Sequence, residues 1–311
     1  MRAVVVTTFG GPETVHVADV PEPVAGPGQV TVRVTAAAIN PVDVATRSGY
    51  LASVGLQAAQ ETYALGWDLA GTVVDVAPGA DGRLRVGDHV IGLAHNMAAT
   101  AGAQAELVVL DAGAVAAAPT TVDAAAAATL PLAGSTALQA LAAAGGPGAG
   151  PRGALLVTGA AGAVGSVAVQ VAAHDGREVV ALARRGDRDD VLAWGAKHFV
   201  ETVDEVARLF PGGVGAVIDA AHLGAPLLEV VADGGTFVEV LPGSAPPSAR
   251  GITVAYVSVA ATVADLDRLV ELTDAGVIRP RVAAVHLFED VARAHERFEA
   301  GGVRGKVVLT P

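Results

Sequence analysis

The residues with the clearest chemical meaning are three glycines, Gly159, Gly162 and Gly165, within ALLVTGAAGAVGSVAVQVAA from Ala154 to Ala173. Glycine permits a tight turn and lets backbone approach a diphosphate, whose charge is met by free N–H groups at a helix start. The spacing alone carries little. With 38 glycines in 311 residues, such a triple arises by chance roughly 0.5 times. Position decides: an apolar strand, Ala154 to Thr158, precedes the loop, and an apolar helix that begins near Ala163 and Val164 follows it. That is where a dinucleotide cradle belongs.

The next strand, EVVALA, ends in ALARRGDRD. A carboxylate there would accept hydrogen bonds from a ribose 2′-hydroxyl, whereas arginine pairs with a 2′-phosphate. Arg184 and Arg185 stand at this turn with no carboxylate before Asp187, which predicts NADPH over NADH. The competing reading is a pair of solvated arginines before a helix. The uncharged run is long enough for a membrane span, but it holds Thr158, Ser166, Gln170 and three glycines and lacks anchors at both ends. No membrane role is expected.

These residues need a layered α/β frame, and the rest of the chain predicts one. Residues 1–118 read as strands and turns (QVTVRVTAAAI, LAGTVVDVAP, DHVIGLA, AELVVLD) with few helical periods. Residues 119–278 open with an Ala/Leu-rich helical stretch interrupted by Pro131. They then alternate short apolar strands with helices, the pattern of a parallel sheet buried on both faces. A helix at about 262–275 follows, and residues 279–311 read as strand, helix, strand, able to complete the first domain. No internal repeat is present.

Composition narrows the function. The net charge of −12 and the lack of a basic run leave no footprint for a phosphate backbone. Zero cysteines exclude disulfides, cysteine nucleophiles and cysteine-ligated zinc. The opening MRAVVVTTFGGPE lacks a signal-peptide pattern, and a cytoplasmic enzyme is the simplest fit. The eight histidines form no ligand spacing, so no metal site is expected.

AAAINPVDVATRSG, LGWDLAGTVVDVAPG, VGDHVIGLA, GAQAELVVL, LPLAGSTALQAL, VTGAAGAVGSVAVQVA, WGAKHFV, VIDAA and GGVRGKVVLTP run in order along nearly the whole chain. Together they resemble the medium-chain dehydrogenase/reductase superfamily, and within it the zinc-free quinone oxidoreductase and zeta-crystallin branch. The resemblance implies a GroES-like, mostly-β catalytic domain and a Rossmann domain, with the active site in the cleft between them. It also implies a homodimer, often joined through the strand at ITVAYVSV. Zinc-dependent relatives carry Cys at the position of Asn40 and His-Glu at Trp67-Asp68, so the zinc ligands are replaced. What remains is hydride transfer to an acceptor already electrophilic, a quinone or an α,β-unsaturated carbonyl compound.

By this likeness Asn40 is the lead catalytic residue, its amide donating to a developing oxyanion; a turn residue before Pro41 is the bland alternative. Tyr50 is the second catalytic candidate, as a proton donor or cleft residue. Asp43, Tyr63, Trp67 and His95 are expected to line the substrate site, although Asp43 and Arg47 also suit an ion pair or cap. His95 and His222 are further candidate proton donors. Thr136, Asp219, Ala220, Leu241 and Pro242 are expected beside the cofactor, and Lys306 is either a cleft cation or an exposed strand lysine. Tyrosines usual at the positions of Ala45 and Leu51 are missing, as is the aromatic usual at Gln104. The site therefore suits a different or roomier substrate. Two alternatives stand beside the leading reading: a tailoring enone reductase of a biosynthetic pathway, and an NADPH-binding structural or regulatory protein.

Overall fold

The computed structural model describes residues 1–80, 82–94, 102–146, 153–241 and 245–311. The chain forms two compact units. Unit 1 contains Met1–Leu132, Ala260–Asp274 and Pro280–Pro311; unit 2 contains Ala133–Val259 and Ala275–Arg279.

Unit 1 begins with β1 (Arg2–Val6), β2 (Val15–Asp19) and β3 (Gln29–Ala38), followed by the short helices α1 (Pro41–Arg47) and α2 (Tyr50–Ser53). It continues with β4 (Tyr63–Ala64), β5 (Asp68–Val76), β6 (His89–Leu93), β7 (Leu107–Asp111), β8 (Val115–Ala117) and α3 (Ala124–Ala127). Unit 2 carries α4 (Pro131–Ala143, its first two residues in unit 1), β9 (Leu155–Thr158), α5 (Ala163–His174), β10 (Val179–Leu182), α6 (Arg188–Ala193) and β11 (His198–Val200). Then come α7 (Val203–Leu209), β12 (Val214–Asp219), β13 (Val231–Glu239) and β14 (Thr253–Tyr256). The chain returns to unit 1 for α8 (Val263–Asp274), β15 (Val282–Leu287), α9 (Val291–Glu299) and β16 (Lys306–Thr310).

In unit 1 a three-stranded sheet runs β2-β1-β4, and a seven-stranded sheet runs β15-β16-β3-β5-β6-β8 with β7 also on β3. The long strand β3 is the hinge of this arrangement. Val30, Val32 and Val34 are buried while Arg33 and Thr35 face water, the period-two signature of a half-solvated sheet. Its far end receives β16, with Val308 opposite Ala38 and Leu309 opposite Ala37. Helix α8 is tied to this unit through Asp274, whose carboxylate accepts the backbone N–H groups of Thr120 and Thr121 at 2.9 and 3.0 Å.

Unit 2 is a parallel sheet in the order β11-β10-β9-β12-β13-β14, the 3-2-1-4-5-6 order of doubly wound nucleotide-binding sheets. All four residues of β9 are buried, as expected of a strand covered on both faces. Leu156, Val180, Val217 and Phe237 from four strands form its core.

One single-residue expectation changes at this level, and the ion-pair reading of Arg47 takes definite form. Tyr63, expected to line a substrate wall, is 6% exposed and its ring lies 4.7 Å from that of Phe9. Its apolar body is more stable in the core beside Leu65 and Phe288. Arg47 is buried because it ties α1 to α9: it reaches His295 Nδ1 at 3.2 Å, Glu299 at 2.5 Å and the Gly10 carbonyl at 3.2 Å.

Candidate functional site

In unit 1 the candidate residues gather at the start of α1. Pro41 occupies the first helical position, where its missing N–H costs nothing, and Asn40 is the N-cap in extended conformation. Asp43 reaches back to accept the Asn40 N–H at 2.7 Å and takes the Gly66 N–H with its other oxygen at 2.7 Å. Its burial raises the carboxyl to about 7, against the lowering effect of those two bonds. Asp43 therefore pins the turn and Gly66 together.

Asn40 behaves differently from the expectation. Its side-chain nitrogen donates to Asp68 Oδ2 at 3.0 Å and to the Ala38 carbonyl at 3.3 Å. Two acceptors on one side fix which end of the amide is nitrogen. With the N–H groups so engaged, donation to a substrate oxyanion would require breaking a buried hydrogen bond. Asp68 is fully buried and also accepts the Leu132 N–H at 2.5 Å and the Lys306 ammonium. Lys306 is only 5% exposed. The alternative of an exposed strand lysine is thus overturned, because a buried carboxylate needs a paired cation.

Tyr50 is 57% exposed on α2. Trp67 is half-buried directly before Asp68. His95 lies outside the described residues.

The donor set does not fit a catalytic zinc. Asn40 turns its nitrogen inward, Trp67 offers no ligand atom, and both Asp68 oxygens are held by N–H donors. Among the described residues no three His, Asp or Glu side chains cluster as metal ligands.

In unit 2 the glycine loop joins β9 to α5. Gly159 has φ +54, a left-handed conformation that glycine adopts without strain. A Cβ there would lie 3.0 Å from the Ala220 carbonyl oxygen. At Gly165 a Cβ would meet the Gly159 carbonyl oxygen at 2.2 Å, so only glycine lets the helix pack this closely on the loop. Gly162 is the N-cap, and Ser166 N–H makes the bond back to Gly162. The N–H groups of Ala163, Val164 and Gly165 therefore have no carbonyl one turn behind them within the helix. This cradle fits a pyrophosphate.

Around it, Asp219 is fully buried, accepting the Thr158 hydroxyl at 2.6 Å and the Gly224 N–H at 2.8 Å. Arg184 and Arg185 are both exposed just past β10; Arg185 pairs with Glu201 at 3.0 Å, whereas Arg184 has no carboxylate partner among the described residues. Leu241 is exposed, its N–H held by Glu239 at 3.2 Å. Pro242 lies outside the described residues. Thr136 is buried within α4.

The fold thus brings together Asn40 and Asp43 in unit 1, and the glycines with Asp219 and Ala220 in unit 2. It pairs Asp68 with Lys306 and adds Glu239, which motif reading passes over. Their signal in the sequence is a charged residue ending or opening an otherwise apolar strand.

Comparison with known proteins agrees with both units. Residues 26–120 match the alcohol dehydrogenase GroES-like domain model, and residues 194–309 match a model described as zinc-binding dehydrogenase. The chain is 30% identical to the 2-methylene-furan-3-one reductase of Solanum lycopersicum, over 91% of this chain and 72% of that protein. It is 29% identical to the chloroplastic NADPH-dependent alkenal/one oxidoreductase of Arabidopsis thaliana, over 100% and 80%. Among solved structures, the quinone oxidoreductase from Coxiella burnetii superposes with a TM-score of 0.84 at 26% identity, covering 100% of this chain and 99% of the other.

Proposed function

Because this chain belongs to the medium-chain dehydrogenase/reductase superfamily, in its zinc-independent quinone- and alcohol-oxidoreductase-like branch, we propose that it is an NADPH-linked reductase of quinones or α,β-unsaturated carbonyl compounds. The observation that carries this reading is the buried Lys306–Asp68–Asn40 cluster where the zinc-dependent relatives hold metal ligands. Without a metal to lower the pKa of an alcohol, alkoxide oxidation is a poor fit, and an acceptor that is already electrophilic is the better one.

NADPH, when bound, supplies the hydride. The N–H groups of Ala163, Val164 and Gly165 would hold its pyrophosphate, and Arg184 with Arg185 its 2′-phosphate. Thr136, Asp219, Ala220 and Leu241 are assigned to the same cofactor. On the substrate side, Asp43 and Asp68 hold the α1 turn in place, and the positive charge of Lys306 is the group best suited to stabilise a developing oxyanion. Asn40 then acts mainly by orienting Asp68. Tyr50, exposed, remains a candidate to meet the substrate.

The test is a stopped-flow measurement of NADPH absorbance with 1,4-naphthoquinone and with a simple enone. Turnover of either supports the proposal and shows which class is preferred; oxidation by neither refutes it. We further propose a homodimer through the β14 edge and a cytoplasmic location, the latter on the lack of cysteine. Among the described residues no helix is long and apolar enough to cross a membrane. The acidic charge argues against nucleic acid as a partner.

A further inference from the structure

The carboxyl edge of the unit 2 sheet carries a polar row. Strand register aligns Thr158, Asp219, Glu239 and Tyr256 across β9, β12, β13 and β14. Asp219 has a donor on each oxygen, as described above. Glu239 does not. It is 0% exposed, and its Oε1 accepts the Val240 and Leu241 N–H groups at 2.9 and 3.2 Å and meets His222 Nδ1 at 2.8 Å. Its Oε2 is buried with no hydrogen-bond partner among the described residues, a condition that calls for a functional explanation.

His222 is unusual in its own right. Its φ of 56° lies in the left-handed region that non-glycine residues rarely occupy. The turn around it is braced: Thr158 Oγ1 accepts the Ala221 N–H at 3.0 Å, and Asp219 accepts the Gly224 N–H. Backbone strain held by such bracing is concentrated at binding and catalytic sites. Nδ1–H facing the Glu239 carboxylate leaves Nε2 as a lone-pair acceptor, on a side chain 32% exposed.

In a 3-2-1-4-5-6 sheet each half receives one mononucleotide. The half formed by β9, β10 and β11 ends in Arg184 and takes the phosphorylated adenosine. The half formed by β12, β13 and β14 is left for the other nucleotide, and it carries His222 and Glu239. We propose that His222, oriented by Glu239, binds the nicotinamide riboside half of NADPH, its Nε2 accepting a hydrogen bond from a ribose hydroxyl. This rests on the NADPH reading above. Glu239 is a positioning residue, fixing the ring and its tautomer.

Isothermal titration with NADPH and with 2′,5′-ADP, which has only the adenosine half, tests it. His222→Asn is the chosen variant, since asparagine tolerates positive φ and removes the imidazole. It should weaken NADPH binding about tenfold, the scale of one lost hydrogen bond, and leave 2′,5′-ADP binding unchanged. Glu239→Gln should act in the same direction; if its melting temperature shows that it does not fold, His222→Asn alone carries the result. Unchanged NADPH affinity in His222→Asn, or equal loss for both ligands, overturns the inference. A wild-type protein that binds neither ligand overturns the NADPH reading itself.

Discussion

Replacing Lys306 by methionine removes the cation from Asp68 while keeping most of the side-chain volume. Asp68 is fully buried and would retain only the Leu132 and Asn40 donors. Breaking a buried pair in this way costs about 3–5 kcal/mol.

For a unit of this size a 4 kcal/mol loss lowers the melting temperature by about 10 °C. The two tryptophans, Trp67 and Trp194, lie in different units. Melting in a Trp194→Phe background therefore lets Trp67 fluorescence report on unit 1. The double variant Lys306→Met with Asp68→Asn, which removes the buried charge altogether, should recover at least half of the loss. A Lys306→Met deficit below about 1 kcal/mol, or a double variant that recovers none of it, would refute the claim that this pair compensates a buried charge.

Three further outcomes are expected. Arg184→Ala should cut the preference for NADPH over NADH by about ten- to a hundredfold, and Arg185→Ala by less because Glu201 already holds that guanidinium; equal dissociation-constant ratios in both variants and wild type would remove the arginine reading. Burial, aided by the Arg47 charge, lowers His295 to about 4, so the folded state binds fewer protons there than the unfolded chain between pH 4 and 6.5. Up to about 3 kcal/mol is then lost as pH falls through that window. His295→Gln should flatten this acid-side slope in melting curves, and since the raised Asp43 pulls the opposite way, the comparison with wild type isolates His295; an unchanged slope contradicts it. Light scattering should give twice the 30.8 kDa chain mass, and Thr253→Lys with Tyr256→Lys on the edge strand should give a monomer; a monomeric wild type excludes the β14 dimer.

Local chemistry was readable where one segment supplied all of it. The cradle, from Leu155 through Gly165, is a strand, a turn and a helix start within a dozen residues, and Gly162 and Gly165 pack against the Gly159 carbonyl only a few positions away, although Gly159 itself faces the distant Ala220. Arg184 and Arg185 could likewise be placed from the strand before them. The polar groups that matter in unit 1 could not. Lys306 meets Asp68 across 238 positions and Arg47 meets His295 across 248, and no periodicity encodes such a pairing. Asn40 illustrates the difference: its place before a helix was visible, but the direction of its amide depends on a carboxylate 28 residues away.

The path of the chain has a consequence for biosynthesis. β16 supplies Lys306 to Asp68 and pairs with the Ala37 and Ala38 end of β3, so on a ribosome β3 emerges with β5 and β7 able to pair it but with that end still open on one side and a carboxylate awaiting its cation. The parallel sheet of unit 2 lies wholly within residues 155–256 and can assemble while unit 1 is still incomplete. Although its residues come first, unit 1 must finish last, and it is the half in which a slow ribosome or a chaperone would have most effect.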